Sequence, residues 1–394
     1  MAVMRPAGLV GGTWAGASQR GLVILGEVGV ALGLGLGLAS LGLRGVSWMF
    51  AGIVAGVALP WLVHSWQGVA QRPLPQVRGM GQMLVGVAVA STVSGTDWGA
   101  LQRLIPGFLG LTFLTLSQCL AIGLLYGRLS GTNRLAAILA TMPGIAAVIT
   151  SLAADYTREV SRVAVVQVLR LTTIILLVPF FARWVAGRPA VAPTSPWISG
   201  LGDAHWVTWG LLAGALAVGS LGAWGAQRLR WPAGAFVGAL GGTLLWTWGL
   251  AWLRPAVHWV CPPVVQMLGQ VLLGTVIGEY WALEPVLEWS VLLQALIPVG
   301  LTVTAGLGTA WVAWVLTPWD WLTCWLITVP GGATEMVLVA LALDQDVDLV
   351  TAGHLLRLMV LNTAIPLGLS LVKHESAQGQ ADVARPHPKQ PPQS

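Results

Sequence analysis

Residues 329–366 read VPGGATEMVLVALALDQDVDLVTAGHLLRLMVLNTAIP, and residues 142–179 read MPGIAAVITSLAADYTREVSRVAVVQVLRLTTIILLVP. The two stretches align without a gap. Pro330-Gly331 follows Pro143-Gly144 by 187 positions (330 − 143 = 187), and Arg357 follows Arg170, and Pro366 Pro179, by the same interval. Each opens on a Pro-Gly pair inside an apolar run. Proline lacks a backbone donor and collides with the preceding helical turn, so each pair predicts a broken helix. Interrupted apolar segments at corresponding places in two halves of a chain point to the binding site of a membrane transporter. These stretches therefore set both the expected fold and the place to look for function.

Composition agrees. Hydrophobic residues make up 56% of the 394, and charged residues 9%, where a soluble domain carries roughly 25% charged residues. Apolar runs long enough to cross a bilayer recur along the chain, which predicts an all-α polytopic membrane protein. The first half offers spans near 21–43, 46–64, 79–95, 104–126, 134–153 and 162–186. The second offers 204–224, 232–252, 263–280, 289–316, 319–343 and 347–372. The glycine-rich segments 79–95 and 263–280 are short enough to be re-entrant.

The halves also match outside the Pro-Gly stretches. FAGIVAG (50–56) faces PAGAFVG (232–238), and GQMLVG (81–86) faces GQVLLG (269–274). The reading is of two tandem homologous repeats, each of about five to six transmembrane segments, over 40–186 and 222–372. A lead and first span (1–39) precede them, a linker and connecting span (187–221) joins them, and a polar tail (373–394) too poor in apolar residues to pack follows. Arg20 before an apolar run suits a signal peptide, but the run is long for one and more spans follow, which favours a retained helix.

The net charge of +5 comes from arginines scattered singly through loops. Nucleic-acid binding needs a clustered basic face, so no nucleic-acid partner is expected. Loop arginines orient spans. Arg5, Arg20, Arg72, Arg78, Arg128, Arg134, Arg183, Arg188 and Arg254, with Lys373, fall on one side of a twelve-span reading. That puts both termini in the cytoplasm and the chain in the inner (plasma) membrane. Trp48, Trp61, Trp206, Trp209, Trp231, Trp252, Trp281, Trp289, Trp319 and Trp321 fall near span ends, as interfacial anchors do. Gly29, Gly33 and Gly37 have the small-xxx-small spacing of a close helix contact, and the glycine-rich first spans allow a homodimer. Cys119, Cys261 and Cys324 stand alone and read as packing residues.

Charge inside a membrane is costly and marks function by default. Glu335 falls in the first turn of the helix restarting after Pro330, Gly331 and Gly332, where free N–H groups and the helix dipole stabilise a carboxylate. His354 and Arg357 stand three apart on one helix face, with Asn362 further along. The first copy, Pro143-Gly144, keeps Arg170 for Arg357, has Gln167 for His354 and Val148 for Glu335. These eleven positions, Val148 excluded, are the candidate substrate or ion site. The structural alternative is that Arg170 and Arg357 satisfy carbonyls freed at the breaks and that Glu335 caps its helix. Asp344, Asp346 and Asp348 read as a solvated loop, as do Asp155, Arg158, Glu159 and Arg162, while Gln118 reads as an interhelical hydrogen-bonder. Glu27, in the first span, suits snorkelling or pairing with a helix neighbour. The six histidines form no HxH, HxxxH or HExxH pair, and no GxSxG or P-loop occurs; no cofactor, metal or catalytic group is indicated.

VPGGATEM followed by HLLR, with MPG followed by VQVLRL in the earlier copy, resembles the AbrB family of membrane proteins, which contains an internal duplication. The match spans about 40–372, departing where MPG is followed by isoleucine. The family name does not imply the soluble DNA-binding regulator. Members carry the labels regulator of gene expression and ammonia monooxygenase, and the family is similar to secondary transporters with interrupted helices. The resemblance and the residues together favour a carrier of a small, anionic solute, coupled to protons through Glu335, with lipid and the solute as partners. The alternatives are a membrane-embedded regulator of gene expression and, third, a monooxygenase.

Overall fold

The computed structural model describes residues 14–40, 47–67, 73–144, 149–150, 153–154, 156–157, 159–186, 206–254, 259–282 and 289–364. Among these the regular elements are all helices. They are α1 (Trp14–Ser40), α2 (Ser47–Gln67), α3 (Pro75–Val93), α4 (Trp98–Arg103), α5 (Ile105–Ser130), α6 (Arg134–Thr141) and α7 (Val160–Ala186). Then come α8 (Trp206–Arg228), α9 (Gly234–Leu253), α10 (Pro263–Ala282), α11 (Trp289–Leu316), α12 (Trp321–Thr328), α13 (Ala333–Ala342) and α14 (347–364). Among the described residues seven helices are long and apolar enough to cross a membrane: parts of α1, α2, α7 and α8, and all of α5, α9 and α11. Their outward faces carry apolar side chains, Trp252 and Trp289 being 83% and 79% exposed, as a surface facing hydrocarbon requires.

The helices pack in pairs. α2 lies along α10 and α9 along α3, with α3 also against α10; α1 covers α2, and α8 covers α9. Glycines set the α2–α10 distance. A Cβ on Gly52 would meet the Val271 carbonyl, 2.6 Å away, and one on Gly278 would meet the Gly56 and Val57 backbone, both 2.8 Å away. Small residues let helix backbones approach closely and gain dispersion contact that lipid cannot supply. Met49, Phe236, Leu273, Trp325, Met336 and Leu338 fill the centre.

Several span expectations are corrected. Segments 79–95 and 263–280 are not re-entrant: α3 and α10 are continuous helices of 19 and 20 residues. Segment 134–153 stops at Thr141, and segment 319–343 splits into α12 and α13. α4, with Asp97 accepting from the Gly99 and Ala100 N–H groups, is an unforeseen short helix. Gly29, Gly33 and Gly37 meet nothing within 4 Å; Gly35, between them, takes the Trp48 ring. Trp48 is therefore a core residue and not an interfacial anchor, because only a bare glycine leaves room for its indole. Gln118 does bond between helices, accepting from Thr309 Oγ1 at 2.8 Å. Residues 187–205 of the expected linker and connecting span, and the tail 373–394, lie outside the described residues.

Candidate functional site

Two eight-residue helices, α6 and α12, begin and end alike. The side chain of Asn133 accepts from the Leu135 N–H and that of Asp320 from the Thr323 N–H, each satisfying a donor that a helix start leaves free. Both then stop one residue before the one preceding proline. Met142 (φ −59°, ψ 129°) and Val329 (φ −56°, ψ 134°) are extended, as the residue before proline is forced to be by the proline Cδ. Each last helical residue is a threonine tied to a neighbouring helix: Thr141 Oγ1 donates to the Cys119 carbonyl at 2.9 Å, and Thr328 Oγ1 to that of Gly306 at 3.2 Å.

A helix that stops in an apolar interior leaves carbonyls unpaired. Buried arginines answer both ends. Arg170 Nη1 donates to Thr141 O at 2.8 Å and Met142 O at 3.1 Å. Arg357 donates from Nη1 to Val329 O at 2.9 Å and from Nη2 to Gly331 O at 3.0 Å. One turn earlier, Gln167 Nε2 donates to Leu139 O at 2.8 Å and Gln167 Oε1 accepts from Arg170 Nη2 at 2.8 Å. His354 does the same work with a ring: Nε2 meets Leu326 O at 2.8 Å and Nδ1 meets Arg357 Nη2 at 2.6 Å. Every one of these positions recurs 187 residues on.

After the second break the chain restarts as α13, with Gly332 at its N-cap and Glu335 in its first turn. The Glu335 carboxylate folds back over Gly332, where a Cβ would collide with it. Gly331 is closed off by Met336, whose Cγ lies 2.8 Å from where a Cβ would sit. Beyond α13 the chain turns at Asp344, which has a left-handed φ of 53°. In that turn the Asp346 carboxyl is held above the usual carboxylate range by burial, then by Asp348 and Asp320.

Both Pro-Gly segments border one cavity of ≈ 20 Å³, lined by Gly144 from the first and by Pro330 and Gly332 from the second. That is little more than the room one water molecule needs, about 10–15 Å³. The α13 start contributes Ala333, Thr334 and Glu335, and α7 contributes Gln167 and Arg170. Arg170 is 3% exposed, and its buried Nε has no hydrogen-bond partner among the described residues. Pro143 is buried beside Gly144. His354, Arg357 and Gly331 are buried but do not line the cavity; they brace the backbone that does. Asn362 is not brought to the others: it is exposed and donates to its own helix at Leu358 O, 2.8 Å away. Val148 lies outside the described residues.

Sequence reasoning missed Arg78 and Gln82 of α3, which line the same cavity. A signal for Gln82 existed: a glutamine follows the first glycine of both GQMLVG and GQVLLG, and an amide in an apolar glycine-rich span needs a reason. Arg78, expected in a loop, is helical. It starts α3 and reaches Tyr280 Oη at 3.4 Å.

A family model described as "Transition state regulatory protein AbrB" matches residues 48–373. Two relatives align along most of their length. One, named "Uncharacterized protein YhjN", is from Bacillus subtilis (strain 168); it is 24% identical over 364 residues, covering 85% of this chain and 90% of the relative. The other, named "Putative regulator AbrB", is from Escherichia coli (strain K12); it is 25% identical over 319 residues, covering 78% and 86%. A match of that extent, on a chain of apolar helices whose motifs fall at the two helix breaks, places the protein in the AbrB family.

Proposed function

We propose that this protein is a secondary-transporter-like carrier of a small anionic solute, built from two tandem repeats with interrupted helices. The observation that carries the reading is the single cavity on which both Pro-Gly segments converge, with the start of α13 at its edge. Helix starts and guanidinium groups attract anions, and Arg78 and Arg170 outnumber Glu335 among the charged lining residues. The 187-residue recurrence of caps, proline stops and arginine braces supports the repeat, as does the reciprocal packing of α2 with α10 and α9 with α3. At ≈ 20 Å³ the cavity holds no organic acid as it stands, so transport requires the two breaks to move apart, as in alternating access.

The test is uptake of a panel of small radiolabelled acids into proteoliposomes. Arg170→Gln is expected to lower flux at least tenfold while the protein stays folded. Flux equal to wild type for Arg170→Gln, Arg78→Gln and Glu335→Gln alike would remove the cavity from the mechanism. The regulatory reading rests on the name of the Escherichia coli relative. For the monooxygenase reading, no group of three or more His, Cys, Asp or Glu among the described residues is placed to hold a metal.

A further inference from the structure

A second set of buried charges takes no part in the cavity. Glu27 of α1 and Glu279 of α10 are 1% and 2% exposed. Arg20, about two turns before Glu27 on α1, donates from Nη2 to Glu279 Oε1 at 2.6 Å. The Glu27 carboxyl lies within hydrogen-bonding reach of that of Glu279. Glu27 Oε1 and Glu279 Oε2 are buried with no hydrogen-bond partner among the described residues.

The charge count decides what this cluster binds. Two carboxylates beside one guanidinium leave one negative charge in excess, and an uncompensated buried ion costs several kcal/mol. Two carboxyl groups in contact cannot both ionise without strong repulsion. Among the described residues, no second cation is paired with either carboxyl. The other ionisable described groups on the packed helices are His64 on α2, Arg78 on α3, Arg162 and Arg170 on α7, Tyr280 on α10 and Glu335 on α13. Arg78 reaches Tyr280, Arg162 faces Glu159 and Arg170 braces α6. Among the described groups, the charges acting on each carboxyl are Arg20 and the other acid. A metal cation would need a fuller oxygen shell than two side chains give. A proton needs only one acid to donate and the other to accept.

We propose that Glu27 and Glu279 share one proton and form a proton-binding site separate from the cavity. Arg20 keeps Glu279 ionised, so Glu27 carries the proton and donates it to Glu279. Loss of that proton leaves two negative charges against one positive, which drives α1 and α10 apart at this level. Use of this proton to drive transport rests on the carrier reading; the site itself does not.

The test reads the proton directly. Full-length protein in lipid nanodiscs is measured by infrared spectroscopy at about pH 7, where exposed glutamates are ionised. Wild type is expected to give a protonated-carboxyl C=O band that shifts in D2O. Glu27→Gln and Glu279→Gln, both near-isosteric, should each abolish it, since the remaining acid is then matched by Arg20. Glu335→Gln should leave it. Arg20→Gln should about double it, because both acids must then be neutral. Absence of the band in wild type, or a band untouched by Glu27→Gln in folded protein, overturns the proposal. Solute flux enters none of these readouts, so a failed carrier reading and a failed proton site are told apart.

Discussion

His354 and Arg357 form a single hydrogen-bonded unit. Arg357 Nη2 lies 2.6 Å from His354 Nδ1, and His354 Nε2 lies 2.8 Å from the Leu326 carbonyl. Both bonds are satisfied only when Nδ1 accepts and Nε2–H donates, which fixes the ring as the neutral Nε2–H tautomer. The unit does for α12 what Gln167 and Arg170 do for α6, where an amide supplies the same donor and acceptor.

That equivalence predicts the outcome of His354→Gln. The amide should reproduce both bonds and change stability by less than about 1 kcal/mol. His354→Leu removes donor and acceptor together, leaving the Leu326 carbonyl unpaired, and should cost about 1–3 kcal/mol. Thermal unfolding in detergent distinguishes the two. Equal losses would mean that the ring matters for its bulk.

Arg357→Met should destabilise more than either. It orphans the carbonyls of Val329 and Gly331, at about 1–3 kcal/mol for each buried unpaired group. Arg357→Lys should rescue only part of this, since one ammonium cannot reproduce the planar fork that meets two carbonyls and an imidazole. A lysine variant with wild-type melting would show that charge alone holds the break.

The α2–α10 contact should be intolerant of bulk. Gly278→Ala puts a Cβ into the Gly56 and Val57 backbone, which cannot yield as a flexible side chain would. The helices must separate, at about 1–3 kcal/mol. Gly29→Ala, where nothing lies within 4 Å, should be neutral or slightly stabilising, since alanine is the better helix former by about 1 kcal/mol. Paired melting curves of the two variants check this.

Asp346 predicts a pH dependence. Burial, then Asp348 and Asp320, raise its folded value above the ordinary one, so the fold favours the neutral acid. Its contribution is fully present below the ordinary carboxylate range and is lost as pH rises through the raised value. Asp346→Asn should therefore match wild type in acid and melt higher at about pH 8. A variant that melts lower at high pH would contradict the sign.

Residues decided the fold class by themselves. Apolar runs of membrane-spanning length leave helices as the way to satisfy the backbone in lipid, and Pro143 and Pro330 stop their helices wherever those helices pack. The partnership of His354 with Arg357 was legible too, because three residues on a helix put both on one face. Which arginine borders the cavity was not legible. Arg170 and Arg357 occupy equivalent sequence positions, yet Arg170 borders the cavity and Arg357 is enclosed behind Gly331 and His354. Nor could spacing join Gly144 to Gly332, bring Arg78 and Gln82 beside them, or lay Glu27 against Glu279 across some 250 residues of chain. Those meetings depend on how far two helices approach, and that distance is set by glycines such as Gly52 and Gly278 touching backbone on a different helix. Local sequence governs where a helix starts and stops; only packing governs what it faces.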